Sequence, residues 1–190
     1  MGVFRKMDGN ALCALLHKNF EVDNPNRAAV AMQVIEYGRD TDDPLAWLAC
    51  AFAYTYLGAE YRKEAILQFE KYLSAPLKND DFDLWSVYGT LAELYEAELD
   101  FESAERFYIL QEQEFKKSPQ AKIYDPLPNV KLGRLYLKIS TAKAVEYWQD
   151  ATMSREYMKY SSFRRVVDSE LMKAQAKHAK GYIYKPRGSK

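Results

Sequence analysis

The chain has 190 residues, 48% of them apolar and 14% aromatic, with 15 Tyr but only 8 Gly and 7 Pro. That apolar share is enough for a continuous core, and the scarcity of Gly and Pro excludes a turn-rich β-fold in favour of helices. Net charge is zero, yet nine Lys or Arg face only Asp168 and Glu170 between Lys159 and Lys190, leaving +7 there and −7 on the rest.

In chain order, Met1–Lys6 is too short and too polar for a signal peptide, and no apolar run approaches a membrane span, so a cytoplasmic location is expected. Residues 10–21, with Leu12, Leu15, Leu16 and Phe20, and 26–37, with Ala28, Val30, Met32 and Ile35, have helical spacing. The break at 22–26 supplies cap chemistry, with Pro25 placed to start the second helix. Together they predict a degenerate hairpin over 8–40. Asp40-Thr-Asp-Asp-Pro44 is a stop, a cap and a proline start, and a helical pair follows over 44–76. Residues 78–83 repeat the capping pattern before a second pair over 85–116. Ser118–Asn129, with three prolines, is a spacer or a loop on a binding edge. A third pair covers 126–152. From Met153 the spacing of Tyr157, Tyr160, Phe163, Val167, Leu171 and Ala174 predicts one long or once-broken helix to residue 180, with Ser161-Ser162 as the break. Gly181 ends it, and 181–190 reads as a flexible basic tail.

The three central pairs are in register. Ala51, Ala92 and Gly133 are 41 residues apart, and Tyr54, Tyr95 and Tyr136 follow each by three. The second helices carry Ala65, Ala104 and Ala144, each followed four residues later by Phe69, Tyr108 or Trp148. Antiparallel helices approach closely only where one offers a small residue to the other, and the aromatic fills the hole. One hairpin leaves an apolar face bare, so recurrence of these pairs predicts stacking.

These motifs resemble the tetratricopeptide repeat (TPR) family: Trp47, Leu57-Gly58, Tyr61, Ala65, Phe69 and Pro76 in the first unit; Leu91-Ala92-Glu93-Leu94-Tyr95 and Ala104…Phe107-Tyr108 in the second; Leu132-Gly133-Arg134-Leu135-Tyr136 and Ala144…Trp148 in the third. The resemblance covers roughly 105 residues and is looser in the third unit, where Asn129 replaces the aromatic of Trp47 and Tyr88. It implies an all-α fold, a right-handed α-solenoid of TPR-like hairpins with a long C-terminal capping helix, forming a single domain over 1–180.

No catalytic constellation is legible. His17 and His178 lie far apart, and no P-loop, GxGxxG or HExxH is present. Cys13 and Cys50 sit in apolar helical patterns and read as small buried hydrophobes. Cys13 with His17 makes too few ligands for a metal site, and Glu93, Glu96 and Glu98 read as a solvated face. No metal, cofactor or enzymatic activity is expected. The resemblance instead implies a protein–protein interaction scaffold that takes a peptide or partner helix in the groove of its first helices. By register the groove residues are His17, Leu48, Phe52, Tyr56, Glu93, Arg134 and Lys138, apolar at one end, acidic in the middle and basic at the other. Phe52 and Tyr56 either face this groove or are covered by the N-terminal hairpin. The carboxylate clamp of co-chaperone TPR domains is not expected, because its Asn positions fall at Ala49 and at Thr90 or Gly89. Two other readings are a nucleic-acid-associated adaptor using the basic C-terminal segment, with Tyr182 and Tyr184 stacking on bases, and a self-assembling module. A monomer or weak homo-oligomer without membrane contact is expected.

Overall fold

The computed structural model describes residues 7–19, 21, 24–76, 84–117 and 127–181, and every regular element among them is helical. Helices α1 (Gly9–Lys18), α2 (Arg27–Gly38), α3 (Pro44–Leu57) and α4 (Arg62–Ser74) lie in the first of two compact units, Met1–Asp83. The second, Leu84–Lys190, holds α5 (Leu84–Ala97), α6 (Phe101–Lys117), α7 (Leu127–Ile139), α8 (Thr141–Thr152), α9 (Arg155–Lys159) and α10 (Ser161–Ala179).

Short acids set the starts in unit one. Asp8 is extended and accepts from the Ala11 N–H at 2.8 Å. Asp43 accepts from Leu45 N–H at 3.0 Å, with Pro44 in the first helical turn, so the stop–cap–proline reading of 40–44 describes the observed geometry. The other Asp43 oxygen accepts from the Gly9 N–H at 2.6 Å, joining the first turns of α1 and α3. Gly9 permits this approach: a Cβ there would lie 2.5 Å from the Ala46 nitrogen and the Leu45 Cβ. By contrast, α2 starts at Arg27 rather than at Pro25, and its Asn26 makes no side-chain cap.

The core of unit one joins Leu12 and Leu16 of α1, Ala31, Val34 and Ile35 of α2, and Ala46, Ala49 and Ala53 of α3. The alanines let α3 approach both α1 and α2. On the way to α4, Phe52 meets Phe69 edge to face, with ring centroids 5.0 Å apart.

Unit two also joins its paired helices through aromatic rings. Tyr95 stacks on Phe107 at 5.6 Å across α5 and α6, and Tyr136 on Tyr147 at 5.3 Å across α7 and α8. The small–aromatic rule is plainest at Gly133, where a Cβ would come within 2.8 Å of the buried Trp148 indole. Within the unit, α6 meets α7, and α10 lies along α8 with Val167 and Ala174 buried. The predicted C-terminal helix is broken at Tyr160, one residue before Ser161, and Gly181 follows it at φ 62°. The linking segments 77–83 and 118–126, Phe20, and the tail 182–190, including Tyr182 and Tyr184, lie outside the described residues.

The α5–α6 turn departs from simple expectation. Leu99 N–H donates to Glu96 O at 3.1 Å and Asp100 N–H to Tyr95 O at 3.0 Å, which closes a Schellman motif. Its left-handed position, where glycine is usual, is filled by Leu99 at φ 65°. One repeat earlier, 41 residues back, the chain has Gly58 at φ 121°.

Candidate binding faces

In unit one, Phe52 and Tyr56 stand four apart on α3 and so share one of its faces. Both are half-buried and pack against the core shared with α1 and α2, so the N-terminal hairpin covers part of each. The Arg27 guanidinium lies over the Tyr56 ring, 4.3 Å from its centroid, and its buried Nε has no hydrogen-bond acceptor. The ring's electron-rich face is the compensation. Burial raises the Tyr56 pKa, with Arg27 opposing. His17 is exposed on α1.

Leu48 requires a correction. It has 0% exposure and offers no atom to a partner. One repeat on, the same register position is Gly89, whose added Cβ would run into the Gln111 side chain of α6. The next is Val130, 4% exposed. This position therefore serves the interior in all three repeats.

In unit two the expected acidic and basic patches neutralise one another. Lys131 Nζ pairs with Glu93 Oε1 at 2.5 Å, and Lys138 with Glu96. The Tyr108 hydroxyl donates to the other Glu96 oxygen at 2.9 Å, and burial followed by the Glu96 charge pushes its pKa well above the usual range. Tyr136 donates to Glu105, while Lys143 Nζ donates to the Tyr136 hydroxyl at 3.0 Å and lies 3.6 Å from Glu105. Two ion pairs thus tie α5 to α7, and a third joins α6 to α8. Arg134 stands between Lys131 and Lys138 on the same exposed flank of α7, and among the described residues it has no hydrogen bond or ion pair.

The structure brings Glu93, Arg134 and Lys138 onto neighbouring helices of unit two, and Phe52 and Tyr56 onto one face of unit one. Sequence reasoning missed Arg27, the aromatic acceptance of its charge, and the role of Lys131 as the counter-ion of Glu93. These are tertiary pairings, and helical periodicity carries no signal for them. Burial holds the Cys13 and Cys50 thiols up at about 11, keeping both protonated near neutrality. Among the described residues no group of three His, Cys, Asp or Glu is arranged for a metal ion, and no helix is long and apolar enough to cross a membrane.

No protein-family model and no curated protein sequence matches the chain. The crystal structure of BtubC (BKLC) from P. vanneervenii matches it with a TM-score of 0.55 and 17% identity, over 96% of this chain and 84% of that one. At that identity the likeness is one of fold.

Proposed function

We propose that the hairpins are TPR-like units of an interaction scaffold acting in the cytoplasm, and that their first helices hold an acidic peptide or partner helix. One observation carries this reading: Arg134 is exposed and unpaired among the described residues, while its neighbours Lys131 and Lys138 are held by Glu93 and Glu96. A cation fixed on a helix, between neighbours already neutralised, selects one carboxylate in register rather than any anion. In unit one, Phe52, Tyr56 and Arg27 supply an aromatic and cationic surface of the same preference. In unit one the residues that support it are His17, Phe52 and Tyr56, and in unit two Arg134; Glu93 and Lys138 act by holding α5 and α7 together.

The test is affinity capture from the native cell with mass spectrometry, using the intact chain, Arg134→Glu and Arg27→Ala as baits. Partners recovered by the intact chain should be lost with Arg134→Glu while helical circular dichroism is unchanged. An identical set of partners on all three baits would refute this siting.

A further inference from the structure

We propose that Gly89 and Gln111 form a key that admits α6 to α5 and to no other first helix, so that hairpins of one pattern do not exchange partners within the chain or between copies. The need arises from the repeat itself. Ala51 with Phe69, Ala92 with Tyr108 and Gly133 with Trp148 are small–aromatic pairs of one kind at one register. They hold each hairpin together without telling one second helix from another. Repeat chains with interchangeable parts misassemble by exchanging them.

What distinguishes the hairpins lies one turn away. Three residues before each small residue stand Leu48, Gly89 and Val130, and three after each aromatic stand Tyr72, Gln111 and Ala151. All six are buried. In the second hairpin a glycine meets a long amide: a Cβ on Gly89 would run into Gln111 Nε2 and lie 2.8 Å from its Cδ. The amide ends a flexible side chain, but Gln111 is 1% exposed and has no solvent to swing into. A residue such as Leu48 or Val130 in place of Gly89 would claim the volume that Gln111 occupies. The reverse mismatch also costs, since Ala151 opposite Gly89 would leave a void. Polarity sharpens the choice. Gln111 Oε1 is buried and, among the described residues, accepts no hydrogen bond. An unmet acceptor lowers stability. A buried polar group can repay that loss by restricting pairing, as one interior Asn fixes the register of a coiled coil. Specificity of this sort comes from what the wrong partner suffers as well as from what the right one gains.

Thermal melting and refolding of the full chain test this. Gly89→Val should lower the melting temperature by about 5 °C or more. Adding Gln111→Ala should recover most of that loss, because the pair then has the sizes of Val130 and Ala151. The rescued chain should nonetheless pair less faithfully, since its second and third hairpins now carry the same key. Each chain is refolded from urea at low and at high protein concentration, then brought to one concentration for sedimentation velocity. The wild-type chain should give the same profile from both, whereas the rescued chain should retain multimers whose share rises with the refolding concentration. If Gly89→Val alone does not fold, recovery of a cooperative melt on adding Gln111→Ala answers the same question. Three results overturn the proposal: Gly89→Val melting with the wild type, a double variant no more stable than the single one, or a rescued chain that refolds into wild-type species in wild-type proportions at every concentration. The last would leave a tight contact with no part in choosing partners.

Discussion

Asp43 satisfies N–H groups at the start of two helices with one carboxylate, accepting from Leu45 of α3 and from Gly9 of α1. Losing a cap of this kind costs about 1–2 kcal/mol. Asp43→Ala should therefore lower unfolding stability at the upper end of that range, and more than Asp8→Ala, which frees only the Ala11 N–H. Urea melts followed by circular dichroism check the order, and equal losses would show that the α1–α3 link contributes nothing. The cysteines give a pH prediction. Burial lifts both thiols from 9.0 to about 11, so the folded state holds protons that the unfolded chain releases first. That contribution is complete below pH 9.0 and is lost as pH rises through about 11. The raised Tyr108 and Tyr136 hydroxyls work in the same direction. The melting temperature should thus fall above pH 9.0, and Cys13→Ser with Cys50→Ala should make that decline shallower. An unchanged slope would remove the thiols from the account.

At the scale of the element, Gly133 states the packing rule most sharply. Adding a Cβ gains about 1 kcal/mol of helix propensity. It also drives an atom to within 2.8 Å of a Trp148 ring that has 0% exposure, an overpacking cost of about 1–3 kcal/mol. Gly133→Ala should be destabilising on balance, and Trp148→Phe should relieve the clash, giving a favourable coupling in a double-mutant cycle. Additive losses would mean that the indole moves aside freely. This close approach was legible in the sequence, because small residues and aromatics recur at fixed spacing and only interhelical packing demands both. The helix start at Asp43 and the break near Ser161 were legible for similar local reasons, whereas the first helix was read from residue 10 and its Asp8 cap was not. The candidate face was read less well. Helix α3 buries Ala46, Leu48, Ala49, Cys50, Ala51 and Ala53, which between them spread around most of its circumference. Periodicity identifies one buried stripe, so on a helix packed on several sides it misplaced Leu48 onto a groove. The Lys131–Glu93 pair spans 38 residues and the Lys138–Glu96 pair 42, beyond the reach of any local pattern. Leu99 was invisible because a left-handed turn normally announces itself by glycine.

For the molecule as a whole, the division at Asp83 and Leu84 separates two compact units. Unit two contains the α5–α6 and α7–α8 pairs, their stacked tyrosines, Trp148 against Gly133, and the three lysine–glutamate links that cross between hairpins. None of these draws on a residue before Leu84. Helix α10 covers α8, so the last hairpin is not left with a bare apolar side. A fragment of about 100 residues with its own core is within the range that folds alone. Residues 84–190 expressed separately should therefore give a helical spectrum and a cooperative thermal transition. Within that fragment, Trp148→Ala should lower the transition strongly, because it opens a cavity where Gly133 leaves no side chain to fill it. A fragment that is helical but melts without cooperativity would show that the contacts inside unit two do not suffice, and that its order depends on residues before Leu84.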